Sequence, residues 1–164
     1  MSKFLRVCMG PHGAISVLCV CTVLAGAYFS GVRISFNVSG SLPFRAFITV
    51  RGLEIPCGAG SIGLFRLNVR NPYWDYGAIF AKKFVGCPGD TLRTKGVEFY
   101  LNGEKIAVAR GHDSKEVAVT SFRFDGVIPV GSYFVLGDGE KSYDSRYWGF
   151  VKRSWVVGRG FPLL

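Results

Sequence analysis

Three stretches of the chain combine residue types that could do chemistry. In Ile79-Phe80-Ala81-Lys82-Lys83-Phe84-Val85 two lysines interrupt an apolar run. Neighbours on a strand face opposite sides, so one lysine of the pair is placed to point inward between Phe80 and Phe84. A fully buried lysine drops by as much as about 3–5 units from about 10.4, which makes it a neutral amine near pH 7 to 8 and hence a general base. The pattern does not choose between Lys82 and Lys83, and an edge strand guarded by lysines fits it equally well. The second stretch, Ser39-Gly40-Ser41-Leu42-Pro43, has turn composition and carries two hydroxyls. The third runs from Leu136 to Val151 and is dense in Gly, Asp, Ser and Arg. It reads as a folded-back loop held by its own hydrogen bonds, with Asp144 and Arg146 spaced to pair.

Other chemistries lack their residues. The two histidines are His12, ahead of an apolar segment, and His112, in a polar loop that reads as solvated, so a Ser-His-Asp triad would have to be built on His112. There is no HExxH and no GxxxxGKS, and neither a metal nor a cofactor is expected. The net charge of +9 comes from basic residues scattered singly, with adjacent pairs only at Lys82-Lys83 and Lys152-Arg153. Without a basic arm or stripe, nucleic acid is not the expected partner, whereas an anionic membrane surface suits such a charge.

These residues have to be positioned by the rest of the chain. From Val7 to Val32 there is no Lys, Arg, Asp or Glu, and Gly13–Val32 as a helix is about 30 Å long, enough to cross a bilayer. Lys3 and Arg6 on the leading side keep residues 1–12 cytoplasmic, residues 13–32 become a transmembrane anchor, and residues 33–164 are exported. The rival is a signal peptide cleaved at Ala25-Gly26-Ala27; the apolar run continuing beyond Ala27 favours the anchor. Cys8, Cys19 and Cys21 sit in or beside the apolar segment, while Cys57 and Cys87 lie in the exported part, where an oxidising space favours a disulfide between them.

The exported part reads as mostly β, a compact coiled sheet or open barrel. Expected strands are Ala46–Arg51, Ser61–Leu67, Ala78–Val85, Val97–Leu101, Glu104–Val108, Ser121–Phe124, Ser132–Leu136 and Trp155–Arg159. Asn102-Gly103 marks a tight hairpin, and a small β insert is placed at about residues 92–130.

In order and spacing, the three stretches resemble the boxes of the type I signal peptidase family, which uses a Ser-Lys dyad. The family's S-G-S-M-x-P corresponds to Ser39-Gly40-Ser41-Leu42-Pro43, one residue shorter; its K-R-x-x-G-x-P-G-D corresponds to Lys82–Asp90; its G-D-N-x-x-x-S-x-D-S-R-x-W-G corresponds to Gly137-Asp138 and Ser142–Gly149. The shortened first box and the ending Val157–Leu163 look most like the TraF-type conjugative-transfer peptidases. Departures are Arg45 where that branch usually has Gly, Phe47 where it usually has Tyr, and Gly139 in place of the Asn of the last box.

The resemblance implies Ser41 as nucleophile and Lys82, rather than Lys83, as base. It also implies Ser39 and the Ser41 amide as oxyanion donors, Ser142 as the residue that aims the lysine, and Asp138, Asp144 and Arg146 as support. It further implies a bacterial inner-membrane enzyme, single-pass, with a periplasmic catalytic domain acting on an exported precursor such as a conjugative pilin, with cyclisation open. A general leader peptidase and a non-catalytic, membrane-anchored β-module of a secretion or pilus apparatus are the competing readings.

Overall fold

The computed structural model describes residues 11–37, 40–58, 60–112 and 117–163. Helix α1, Pro11–Phe29, opens on a proline, which the first turn accepts because its missing N–H has no helical partner there. It carries no Asp, Glu, Lys or Arg, and Ile15, Leu18, Val23 and Leu24 are exposed. Among the described residues no helix is long and apolar enough to cross a membrane. Past the polar start Pro11-His12-Gly13, the stretch from Ala14 to Phe29 spans about 24 Å against a hydrocarbon core of about 30 Å. The expected helical span to Val32 is corrected by three residues. The helix stops at Phe29, Gly31 turns the chain with φ of 71°, and Val32 already pairs with Val50 in a sheet.

Strands β1 (Val32–Phe36), β2 (Ala46–Arg51), β3 (Ile62–Arg66) and β4 (Ile79–Gly86) precede a hairpin region of β5 (Thr91–Lys95), β6 (Glu98–Leu101), β7 (Glu104–Val108) and β8 (Asp125–Val127). The chain then returns through β9 (Ser132–Leu136), the one-turn helix α2 (Ser145–Trp148), β10 (Val151–Lys152) and β11 (Val156–Pro162). A seven-stranded antiparallel sheet has the order β1-β2-β11-β3-β4-β9-β10, and a four-stranded one has the order β7-β6-β5-β8. Asn102 and Gly103, with φ of 52° and 91°, make the β6–β7 turn whose twist matches antiparallel strands.

Strand β9 links the cores of the two sheets by simple alternation. Phe134 packs with Leu92, Phe99 and Ile128 of the small sheet, while its neighbour Val135 faces Phe65, Phe84 and Val151 under the large one. Cys57 and Cys87 form a disulfide with Cα atoms 5.6 Å apart, tying the loop before β3 to the end of β4.

Ser121–Phe124 is not a strand. Thr94 N–H donates to Phe124 O, but Phe124 N–H donates to the Thr94 hydroxyl instead of a carbonyl, so the ladder begins only at Asp125. Strands β1, β5, β8 and β10 come in addition to those expected; β1 starts on the last residue of the apolar run, and the Thr-Leu-Arg-Thr-Lys of β5 is too polar to stand out.

Candidate active site

On β4 alternation puts Phe80, Lys82 and Phe84 on one face and Lys83 on the other. Lys82 is 1% exposed; Lys83 reaches the opposite side, where its amine pairs with the Asp138 carboxylate. The Lys82 amine donates to Ser142 Oγ at 2.7 Å and lies 5.8 Å from the centre of the Phe80 ring. Burial pushes it from 10.5 down to about 8; Asp144 pulls it back up, Arg146 pushes it further down, and Asp138 raises it slightly.

Ser41 sits in the turn between β1 and β2, and that turn is fastened from two sides. The amide of Asn37 donates to both Leu42 O and Phe44 O at 3.1 Å, while Leu42 is buried with Phe47 and Ile62. On the other side Ser41 O accepts the backbone N–H of Asp138 at 2.7 Å. Gly137 explains why the two halves of the site approach so closely. A methyl group there would collide with Ser142 Oγ and lie 2.8 Å from Ser41 O, so only glycine lets the hydroxyl that holds Lys82 and the backbone of Ser41 meet.

The loop that presents Gly137 and Ser142 is organised by Asp144 and Arg146, both buried. Asp144 caps α2 by accepting from Arg146 N–H at 3.1 Å, and it accepts from Gly137 N–H at 3.0 Å. Arg146 grips that carboxylate through Nε and Nη2, both at 2.8 Å. Its remaining donors go to carbonyls of Val108, Gly139 and Ser142, each at 3.1 Å, so one guanidinium joins the small sheet to the loop. A buried charge pair is tolerated when each guanidinium nitrogen is hydrogen-bonded in this way.

The structure thus brings together Ser41, Lys82, Ser142, Asp138, Asp144 and Arg146. Ser39 lies outside the described residues. His112 lines the same cleft of about 900 Å³ as Ser41 and Ser142. Among the described residues no group of three or more His, Cys, Asp or Glu is placed to hold a metal ion. One positioning residue, Asn37, escaped the sequence. Nothing local signals that its amide will clasp carbonyls five and seven residues on.

The family model described as signal peptidase, peptidase S26, matches residues 12–163. The chain belongs to this family. A probable signal peptidase I-2 from Synechocystis is 37% identical over 84 residues, half of this chain and 36% of that protein. Signal peptidase IB of Staphylococcus aureus is 28% identical over 144 residues, covering 79% of this chain and 66% of its own. A solved signal peptidase I from Enterococcus faecalis aligns with 65% of this chain and 98% of that chain, at 29% identity and a TM-score of 0.42. The matches to the first of the curated relatives span about a third to a half of their length. Ser41, Lys82 and the Gly137–Gly149 loop all lie inside the stretch that the family model covers.

Proposed function

We propose that the chain is a membrane-bound serine endopeptidase in which Ser41 is the nucleophile and Lys82 its general base. The observation that carries this reading is the Lys82 amine: buried, lowered to about 8, and held on Ser142 beside the turn that bears Ser41. At neutral pH an appreciable fraction of such an amine is unprotonated. It takes the proton of the Ser41 hydroxyl as Oγ attacks the scissile carbonyl, then returns that proton to the leaving amine. The Ser41 N–H and the Ser39 hydroxyl receive the oxyanion, where each donor is worth about 3–4 kcal/mol. Ser142 aims the amine, and Asp144, Arg146 and Asp138 hold the loop. The scheme uses neither metal nor cofactor.

The substrate proposed is an exported precursor with small residues at the cleavage point, presented at the membrane. We assign the apolar stretch of α1, residues 13–29, to a single membrane pass, with the N-terminus cytoplasmic and the β-domain periplasmic. The one-residue-shorter first box, the ending Val157–Leu163 and the small insert favour the conjugative branch and a pilin precursor over a general leader peptidase. Water resolving the acyl-enzyme gives a linear product, and the pilin's own amine in its place gives a cyclic one; the residues of the site fit either.

The test is the intact mass of a candidate pilin precursor co-expressed with the protein and with its Ser41→Ala variant. Processing lost in the variant is expected, and a product lighter by one water than the linear form marks cyclisation. Equal trimming by both proteins sinks the Ser41 assignment and favours the non-catalytic module.

A further inference from the structure

The β3–β4 connection holds two large aromatic side chains in the open beside the site. Tyr73 and Trp74 are 41% and 43% exposed. Their loop is nevertheless a built one. Asn71 Oδ1 accepts from the backbone N–H groups of both Tyr73 and Trp74 at 2.9 Å, Asn71 Nδ2 donates to Val69 O at 3.1 Å, and Gly77 N–H closes on Leu67 O at 2.9 Å. The rings belong to a ladder that reaches both sides of the site. Trp74 stands edge-on to Phe80 at 5.4 Å, and Phe80 lies beneath the Lys82 amine. Tyr73 stands edge-on to Tyr143 at 5.2 Å, and Tyr143, the residue after Ser142, stacks on Tyr147 at 5.8 Å.

With Ser41 and Ser142, these rings line the cleft of about 900 Å³, a size that ligand sites commonly have. Its wall also carries Arg110 and Lys141 against a single carboxylate, Glu140, so its charge is net positive, and neither cation has an ion-pair partner among the described residues. Rings already fixed by a hydrogen-bonded turn lose little entropy on contact, which is the property of aromatic anchors at binding surfaces.

We propose that this cleft is a substrate subsite for a peptide segment that carries an aromatic side chain next to a carboxylate. The aromatic ring packs against Tyr73 and Trp74, and the carboxylate pairs with Arg110 and Lys141. The assignment rests on the reading of Ser41 as nucleophile, because Ser41 lines the cleft and so places the segment within a few residues of the cleaved bond.

The test uses the full-length protein carrying Ser41→Ala, with fluorescein-labelled decapeptides that hold Ala-Gln-Ala and have Phe-Asp either before or after it. Fluorescence anisotropy reads their affinities. For the tighter peptide, replacing Phe by Ala weakens binding about tenfold in the Ser41→Ala background and less than about twofold when Trp74→Ala is added, because the partner ring is then already gone. Trp74→Phe, which keeps a ring, retains the discrimination and separates lost recognition from a disturbed fold. Replacing Asp by Asn shows the same pattern against Arg110→Gln with Lys141→Gln. Factors that simply multiply, or no binding of either peptide, overturn the subsite. Mass analysis of the same peptides with wild-type protein tests the peptidase reading separately: cleavage that persists in Ser41→Ala sinks that reading, while the anisotropy cycle still decides the cleft.

Discussion

The Lys82 amine and the Ser142 hydroxyl meet at 2.7 Å although sixty positions separate them in the chain. Lys82 is brought there by the face it takes on β4, and Ser142 by a loop whose carbonyls are gripped by Arg146. Neither side positions the amine alone: the strand buries it beside Phe80, and the loop gives it a hydroxyl partner. An amine in that setting sheds its proton easily because water no longer solvates the charged form.

Lys82→Met keeps the side chain's approximate bulk and removes the amine. Processing is expected to fall by about 10²–10⁴-fold, the range a general base contributes, while thermal unfolding shows no loss of stability because a costly buried ammonium has been removed. Precursor cleavage and a melting curve on the same preparation check both halves. Cleavage at the wild-type rate would overturn Lys82 as the base.

The lowered Lys82 amine also sets a pH dependence. The base works unprotonated, so the rate climbs as pH rises through about 8 and levels off above it. Stability moves in the same direction but over a higher window. Below about pH 8 the ammonium is present in both folded and unfolded chains, and its burial costs about 3 kcal/mol. Between about 8 and 10.5 the unfolded chain binds the extra proton, so stability rises with pH until the penalty is gone. Denaturant titrations at pH 7.5 and 10 measure that rise, and Lys82→Met is expected to abolish it.

Gly137→Ala tests the close approach of the two halves of the site. The added methyl collides with Ser142 Oγ and crowds Ser41 O, so the loop carrying the lysine's partner and the turn carrying the nucleophile are forced apart. Misplacement on the ångström scale lowers the rate by about 10²-fold. Far-ultraviolet circular dichroism is expected to stay native, and steady-state cleavage reads the loss.

Asp144→Asn breaks the pair that organises the loop while leaving the Arg146 guanidinium buried. Removing one partner of a buried ion pair costs about 3–5 kcal/mol. Replacing both, as Asp144→Leu with Arg146→Met, is expected to be less destabilising than the single change, since no uncompensated charge remains. Urea unfolding of the three proteins orders them.

Much of this was legible before folding because it depends on local chemistry. Lysines in an apolar strand, an aspartate two residues before an arginine, an Asn-Gly hairpin and two cysteines outside the apolar segment are signals carried by residue type and short spacing. Strand positions followed too, as at Ala46–Arg51 and Ser132–Leu136, because short apolar and aromatic runs closed by glycines declare themselves as strands. Alternation is blind to direction, however. It says that Lys82 and Lys83 face opposite ways, and only the packing of β4 between β3 and β9 determines which of them enters the core. The end of α1 was hidden for a related reason: Val32 is as apolar as the helix before it, and its place in β1 depends on pairing with Val50, eighteen residues away. The forced glycine at 137 is long-range in the same sense, through its approach to Ser41. What the sequence by itself determined was which groups are available and how neighbours alternate. The tertiary structure decided which distant backbones meet, because contact between Ser41, Gly137 and Ser142 is a property of how strands and loops pack and leaves no pattern within any one of them.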